Sequence, residues 1–565
     1  MKEIIAKLLK KALDEIGIEL KEKQIENILE TPPSSELGDY SFPCFSLKEK
    51  LKENPSKIAL ELKKKISSSE DIDSVQAVGP YINFFLNKEK IAEKIIKEIL
   101  TKKEKFGSSN LKPGKTMIEF SQANTHKAFH VGHVRGTSIG ESLARILEFS
   151  GEKIVRANYQ GDIGMHVAKW LWCYKKYHSK EKLKKDESWI ASIYVDSVKR
   201  LAQNEKLQEE VDAINRKLFE GKDKNLIALW KKTRKLSLDS FEIIYKQLNT
   251  HFDKYFFEGQ FEKKGKEIAN KLVKKGIAKI SDGAVIVDLN KYNLGVWVLL
   301  RRDGTVLYSA KDLALAEKKF KEFKITKSIY VVGAEQKLYF QQLFKTLELM
   351  KFKNAKNCVH IPVTEVRLPW GKMSSRTGDN ILYSSFIDEI TEYSKKEIKK
   401  RFPSISKKEL ERRALKISIA AIKYSMLKQN PNKFLIFNKE EALNFEGDSG
   451  PYILYSYARA SSILKKVNKP RKQFTIDKKL EKPEFELIKK MLQFKDVVIG
   501  AYNNMNPSII ANYSYQLSQL FNEFYHSCPV INSDNESFRL ALVDSFRQVL
   551  KNSLFLLGIE TIEQM

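Results

Sequence analysis

The 565-residue sequence predicts a multidomain α/β protein, and three features carry that expectation. The chain is longer than one hydrophobic core supports, so three or more domains are expected. A strand–loop–helix–strand alternation that begins at Met117 is the pattern of a parallel sheet covered by helices. Beyond about residue 396 the pattern is almost wholly helical, which suits a bundle.

Residues 1–108 form the first expected domain, a small α+β unit. Amphipathic stretches at 3–30 and 54–66 flank TPPSSELGDYSFP, whose Pro and Gly mark loops. SVQAVGPYINFFL alternates and is rich in aromatics, as strands are. A lysine-rich helix over 87–105 leads to the turn Leu111-Lys112-Pro113-Gly114. The second domain, 109–395, opens on the apolar strand Met117-Ile118-Glu119-Phe120, a polar loop and the helical run SIGESLARILEFSG, which stops at Gly151. Ile154–Asn158 reads as the next strand. Residues from about 175 to 260 are charged, helical and interrupted, and are expected as an insertion. The sheet pattern returns in SIYVVGAEQ near 328–336 and in CVHIPVTEV at 358–366. LKISIAAIKYSMLK, PYILYSYARASSILKK and ALVDSFRQVLKNSLFLLG supply the all-α third domain, 396–565.

Composition narrows the function. With 100 Lys+Arg against 71 Asp+Glu, the formal net charge is +29. An excess of that size attracts a polyanion and speeds the encounter. Lysines fall almost everywhere, so basicity permits a nucleic-acid partner without establishing one. No stretch approaches the roughly 20 uninterrupted apolar residues of a membrane span. MKEIIAKLLKKALDEIGIEL spaces charges through its apolar positions, as an amphipathic helix does and a secretion signal does not. A cytoplasmic chain without a membrane partner is expected. Cys44, Cys173, Cys358 and Cys528 lie far apart with no CxxC pair, against both a zinc site and a disulfide framework. Reduced thiols packed as small apolar groups are expected instead.

Two segments carry chemistry. His130-Val131-Gly132-His133 falls between the 117–120 strand and the next helix. A helix N-terminus at such a switch offers free N–H groups and a positive dipole end to phosphate. Gly132 lets a flat adenine or ribose approach the backbone. Two imidazoles donate to triphosphate oxygens as pyrophosphate leaves. About 240 residues later, Gly371-Lys372-Met373-Ser374-Ser375-Arg376-Thr377-Gly378 is a glycine-bracketed loop that presents cations to phosphate. Each signal is modest alone, and the two in this order are strong.

HVGH followed by KMSSR resembles the two signatures of class I aminoacyl-tRNA synthetases. Longer stretches resemble arginyl-tRNA synthetases in particular: EFSQANTHKAFHVGHVRG, RANYQGDIGMHVAKW, LLRRDGTVLYSAKDLALA, YVVGAEQKLYFQQLF, GPYILYSYAR, and FNEFYHSCPV with VLKNSLFLLGIE. PPSSELGDYSFPCF resembles the extra leading domain of that family, so the resemblance runs over essentially the whole chain. It implies a Rossmann-type catalytic domain, ATP as a substrate with Mg²⁺, no structural zinc, and L-arginine and tRNA(Arg) as partners. The leading domain is implied to touch the outer corner of the tRNA and the bundle its anticodon. A monomer is expected.

A guanidinium is planar, permanently charged and five-donor, so its pocket needs carboxylates and a flat neighbour. Tyr308 and Asp312, four apart in LYSAKD, would face the same way on a helix, and by resemblance they read the side chain. Glu258 is a second carboxylate, although Gly259 differs from the family's usual serine. Glu119, Asn124 and Gln336 match family positions around the amino and carboxyl groups of the substrate, with His130 beside them. ATP falls to His130, Gly132, His133, Lys372, Met373, Ser374 and Ser375. The loop departs from the class pattern, because Ser375 replaces a second lysine and Thr377 replaces a lysine common in the family. Lys372 and Arg376 remain to meet transition-state charge, and resemblance to family members that lack a loop lysine adds Lys127 as a candidate. His126 and His166 read as structural. One rival is a synthetase for cysteine, which would need zinc, or for glutamate, which would need a cation at 312. The other is a non-catalytic RNA-binding descendant, which the histidine pair and Lys372 argue against.

Overall fold

The computed structural model describes residues 2–565 apart from 68, 112–113, 369–370, 373–381 and 468–472. The chain folds as two compact units, one of residues 1–103, 469–492 and 523–545, the other of residues 104–468, 493–522 and 546–565.

The first unit holds a three-stranded antiparallel sheet of β1 (Tyr40–Pro43), β2 (Ile72–Val78) and β3 (Tyr81–Leu86), in the order β1-β3-β2. Phe42, Ile82 and Phe84 are fully buried, as the aromatic-rich strand pattern leads one to expect. Helices Lys2–Asp14, Glu22–Ile28, Pro55–Lys65 and Lys88–Lys102 surround it. The third begins where its sequence dictates. Asn54 accepts from Ser56 N at 2.9 Å, Pro55 opens the first turn, and three lysines close the last.

The second unit contains the site. Its strands are β4 (Lys115–Glu119), β5 (Lys153–Gln160) and β6 (Lys254–Phe257), then β7 (Lys279–Ser281), β8 (Ala284–Asp288) and β9 (Val296–Leu300), then β10 (Lys327–Gly333) and β11 (Cys358–Val363). Five of them form one wholly parallel sheet in the order β11-β10-β4-β5-β6. The winding reverses between β4 and β10, and in such sheets ligands bind in the crevice beyond the carboxyl ends at that reversal. Met117 and Ile118 are fully buried, as a strand covered on both faces requires.

Three expectations need correction. β6 lies inside the stretch assigned to the insertion, whose last helix ends at Gln247. A four-residue edge strand is too short to show a period among charged helices. The antiparallel sheet β7-β8-β9 was not foreseen, although Asp282-Gly283, both at positive φ, is a hairpin signal between KIS and AVIVD. Helix Tyr383–Arg401 runs through the expected boundary at 395–396. Beyond it, β14 (Leu435–Ile436) pairs with β12 (Val366–Leu368), which also pairs with β13 (Gly371–Lys372).

Helix Val131–Phe149 is the hub of this unit, with fourteen buried residues among its nineteen. Gly140 lets it lie on β4, since a Cβ there would stand 2.2 Å from the Phe120 ring. Arg135, fully buried, donates to Glu365 O at 3.3 Å and Lys433 O at 2.7 Å. Ser142 donates to Leu556 O at 2.8 Å and Arg145 to Phe555 O at 3.2 Å. Lys423, also buried, donates to Gly558 O at 2.9 Å. All four cysteines are buried and unbridged. Among the described residues no helix is long and apolar enough to cross a membrane.

Candidate active site

The chain leaving β4 is bent hard. Ser121, Gln122 and His126 all have positive φ, at 76°, 53° and 62°, each costing of order 1–3 kcal/mol without a glycine. Side chains fix the loop against that strain. Ser121 Oγ accepts from Thr137 Oγ1 at 2.9 Å and lies 3.0 Å from the Tyr245 hydroxyl. Gln122 N donates to Asn158 Oδ1 at 3.2 Å, and Thr125 N to Gly161 O at 3.0 Å. His126 is fully buried between Thr125 Oγ1 at 3.0 Å and Thr233 Oγ1 at 2.9 Å, and burial holds its pKa down at about 3. His166 lies 3.3 Å from Gly161 O, held at about 4 by burial and then Lys127. Both rings are thus engaged with the loop that precedes the histidine signature or with Gly161 at its flank.

The loop delivers His130 to the N-cap of helix Val131–Phe149. His130 N donates to His133 Nδ1 at 3.2 Å, the spacing that a residue and the third residue beyond it share at a helix start. The bond makes Nδ1 an acceptor and leaves the proton of neutral His133 on Nε2, free to donate. The two rings stack with centroids 3.8 Å apart. Gly132 makes room for this, because a Cβ there would stand 3.0 Å from the His130 ring. Burial and then Lys127 hold His130 at about 4, and burial, His130 and Lys127 hold His133 well below its ordinary value. Lys127 is half-buried with Nζ 5.3 Å from the Tyr194 ring centroid, its own pKa lowered by burial and then Lys169.

The second signature is tied to the first at both ends. On entry, Arg135 grips Glu365 O, next to the β12 strand that pairs with Gly371–Lys372. On exit, Leu382 pairs with His130 through the backbone, and Tyr383 N donates to Phe129 O at 2.9 Å. Met373, Ser374, Ser375 and Arg376 lie outside the described residues, and Lys372 is described in its backbone only.

On the β5 side lies a cluster of acids. Asp312 sits one turn into helix Tyr308–Phe323, so it and Tyr308 do share a face. The Tyr339 hydroxyl donates to Asp312 Oδ2 at 2.6 Å. Asp312 Oδ1 and the Tyr159 hydroxyl are buried short of a well-formed hydrogen bond among the described residues, while Tyr159 lies close enough to help hold the pKa of Asp312 down. Burial pushes Asp312 up to about 7, with the Glu119 charge adding and Tyr339 opposing. Burial pushes Glu258 up to about 8, with Lys311 opposing and Asp312 adding. Tyr308 is more than half exposed, and its hydroxyl is pushed up to about 12 by burial, Glu258 and Asp312. Gly161 joins this cluster to the histidine loop. It donates to Asn124 Oδ1 at 3.1 Å, and a Cβ on it would stand 2.6 Å from that oxygen and 3.2 Å from Glu258 Oε1.

Two expected residues are placed differently from a free binding group. Glu119 Oε2 lies 2.6 Å from the fully buried Lys319 Nζ, and Oε1 accepts from Gln122 Nε2 at 3.3 Å. Gln336 is exposed beyond the end of β10, and among the described residues no hydrogen bond joins it to the others. Sequence reasoning missed Lys319 and Tyr339. Lys319 had a signal, being seven residues after Asp312 on the same helical face. Tyr339 had none of its own. Cys173, His178 and Asp196 come within 4.8 Å of one another in the insertion. Asp196 Oδ2 already accepts from Arg200 Nε at 2.8 Å, lies 3.0 Å from His178 Nε2 and 3.3 Å from Cys173 Sγ. All three contacts fall on Oδ2 and link the trio to Arg200 in one hydrogen-bonded network.

A family model of the catalytic domain of tRNA synthetases class I (R) matches residues 95–439, the class to which this sheet and its paired signatures point. The arginyl tRNA synthetase N terminal domain matches 3–86, and the DALR anticodon binding domain matches 453–565. The arginine–tRNA ligase of Clostridium perfringens is 37% identical over 571 residues, with 100% of both chains covered. That of Clostridium kluyveri is 38% identical, covering 98% of this chain and 99% of its own. The solved arginyl-tRNA synthetase of Thermus thermophilus aligns over 100% of both chains with a TM-score of 0.81 and 25% identity. That of Plasmodium falciparum shares the fold at a TM-score of 0.79 and 23% identity, over 100% of this chain and 99% of its own. The chain belongs to the arginyl-tRNA synthetase family.

Proposed function

We propose that the chain is an arginine–tRNA ligase that activates arginine with ATP in the crevice beyond β4 and passes it to tRNA(Arg). One observation carries the reading. Both signature segments are fastened to helix Val131–Phe149, and the loop that feeds this helix also meets the acid cluster through Gly161.

The acid cluster suits a guanidinium. Asp312 is a buried carboxylate beside Tyr339 and Tyr159, Glu258 supplies a second carboxylate, and Tyr308 supplies an exposed ring one turn before Asp312. Asn124 and Gln336 meet the amino and carboxyl groups, with Glu119 held in place by Lys319. A carboxylate oxygen of arginine then attacks the α-phosphorus of ATP. The new C–O–P bond forms as the bond to pyrophosphate breaks, giving arginyl-adenylate. Mg²⁺ arrives with the phosphates as part of that substrate. His130 and His133, kept neutral, donate from the helix N-terminus, and Gly132 leaves the backbone open to the nucleotide. Lys372, Arg376 and Lys127 supply positive charge, and Met373, Ser374 and Ser375 complete the nucleotide loop. The terminal ribose hydroxyl of the tRNA next attacks the arginyl carbonyl, and AMP leaves. Positioning and electrostatics do the work, with no nucleophilic side chain. The leading domain and the helical bundle would hold the tRNA, which the +29 charge attracts. The reading includes a monomer working in the cytoplasm without resident zinc.

ATP–pyrophosphate exchange across the twenty amino acids, with and without tRNA, tests it. Exchange with arginine alone is the expected result. Exchange with another amino acid keeps the class and removes the roles given to Tyr308 and Asp312. Folded protein that binds tRNA yet shows no exchange would establish the non-catalytic alternative.

A further inference from the structure

Glu187 opens helix Glu187–Gln203 of the insertion, directly behind the N-cap Asp186, whose carboxylate accepts from Trp189 N at 2.6 Å. An acid in the first turn of a helix ordinarily reaches into solvent, where it complements the helix dipole. Glu187 is instead 7% exposed. A carboxylate so buried must be satisfied at both oxygens, and the partners are telling. Oε1 accepts from Phe129 N at 3.0 Å, and Oε2 accepts from Ser384 Oγ at 2.8 Å. Ser384 Oγ lies a further 2.9 Å from Ser188 Oγ.

Phe129 immediately precedes His130. Ser384 stands two residues past Leu382, the residue that pairs with the His130 backbone. One carboxylate therefore joins the approach to the histidine signature, the exit from the cation loop and the start of the insertion. Asp186 satisfies the local cap by itself, so helix capping does not explain why Glu187 is turned inward.

We propose that Glu187 is a positioning residue for the nucleotide half of the reaction, setting the register of the histidine signature against the chain that leaves the cation loop. The proposal rests on the reading that these two segments handle ATP. It touches no substrate itself and acts through Phe129 and Ser384. Glutamine keeps an acceptor for Phe129 N and an amide able to bond Ser384, whereas alanine removes both bonds and leaves the Phe129 N–H buried without a partner.

The test is steady-state ATP–pyrophosphate exchange with the full chain, varying ATP and arginine separately, in Glu187→Ala, Glu187→Gln and Ser384→Ala, with Lys372→Ala as control. Glu187→Ala is expected to lower kcat/KM for ATP by about 10- to 100-fold, the worth of hydrogen bonds to a charged group. KM for arginine should stay within about 2-fold, the mark of an effect confined to one substrate. Glu187→Gln should restore most of the loss, and Ser384→Ala, which keeps the Phe129 bond, should show a smaller defect of the same kind. Equal losses for both substrates, tracking a lowered melting temperature, would make Glu187 merely structural and overturn the proposal. Unchanged ATP parameters in Glu187→Ala or, if that variant does not fold, in Ser384→Ala would overturn it too. Full exchange in Lys372→Ala would instead sink the ATP reading of the cation loop, an outcome separable from the others.

Discussion

On the histidine side of the crevice, burial keeps protons off two bases, and on the carboxylate side it keeps protons on two acids. His130 is held at about 4, while Asp312 is pushed to about 7 and Glu258 to about 8. The cause is the same in both places, since desolvation disfavours whichever form is charged. The outcomes are opposite in use. Neutral imidazoles at a helix N-terminus are donors that a polyanion completes, and crowded acids are acceptors that a cation completes. The lysines sharpen the contrast. Lys127 depresses His130 further, while Lys319 is spent on Glu119 and lowers Asp312 only in part. Each half of the site is thus short of the charge its own ligand brings.

The comparison is broken most severely by Asp312→Asn. Removing one partner of a buried charge pair should lower kcat/KM for arginine by about 10²- to 10³-fold, with KM for ATP close to wild type. If both substrates lose equally in exchange kinetics, the two halves are not separate. His133→Ala probes the other side. Loss of a transition-state donor should lower kcat by about 10²-fold while KM for arginine holds. Tyr339→Phe is milder, raising KM for arginine by about 10-fold, the worth of one hydrogen bond to a carboxylate. It also removes an influence that lowers the pKa of Asp312, so the acid limb of the arginine profile should move to higher pH. The smallest effect concerns stability. Ordinary carboxyls titrate near about 4, so Asp312 and Glu258 each cost stability as pH rises from there to the raised value, while the depressed histidines act in the opposite sense below about 6.5. The increment in melting temperature given by saturating arginine should therefore grow as pH rises through the window of the two acids, and Asp312→Asn should flatten that growth.

The histidine signature was legible because its geometry is local, as was the Tyr308–Asp312 pair, whose spacing matches one helical turn. The parallel sheet was legible from strands long enough to show their character. β6 was not, being four residues at an edge. Glu187 shows the deeper limit. Its sequence context announces a helix start, which is correct, while its role depends on Phe129 and Ser384, 58 and 197 residues away. Tyr339 is similar, since only the fold reveals that it donates to Asp312, and the helical face of Lys319 points to Asp312 without showing its ion pair with Glu119. The cation loop adds no such lesson, because Met373–Arg376 lie outside the described residues.

The helix that carries His133 is finished by carbonyls at the far end of the chain, with Ser142 separated from Leu556 by 414 residues. On the ribosome that distance is time. At about 5–20 residues per second, some 20–80 s pass between synthesis of the two. Throughout that interval Arg145 lacks the Phe555 carbonyl, and once made, Lys423 lacks the one at Gly558. The histidine-bearing helix is thus among the first parts of this unit to be made and among the last to be sealed, and a nascent chain cut short before residue 555 holds Arg145 through Glu141 and Asn249 and Lys423 through Leu248 alone.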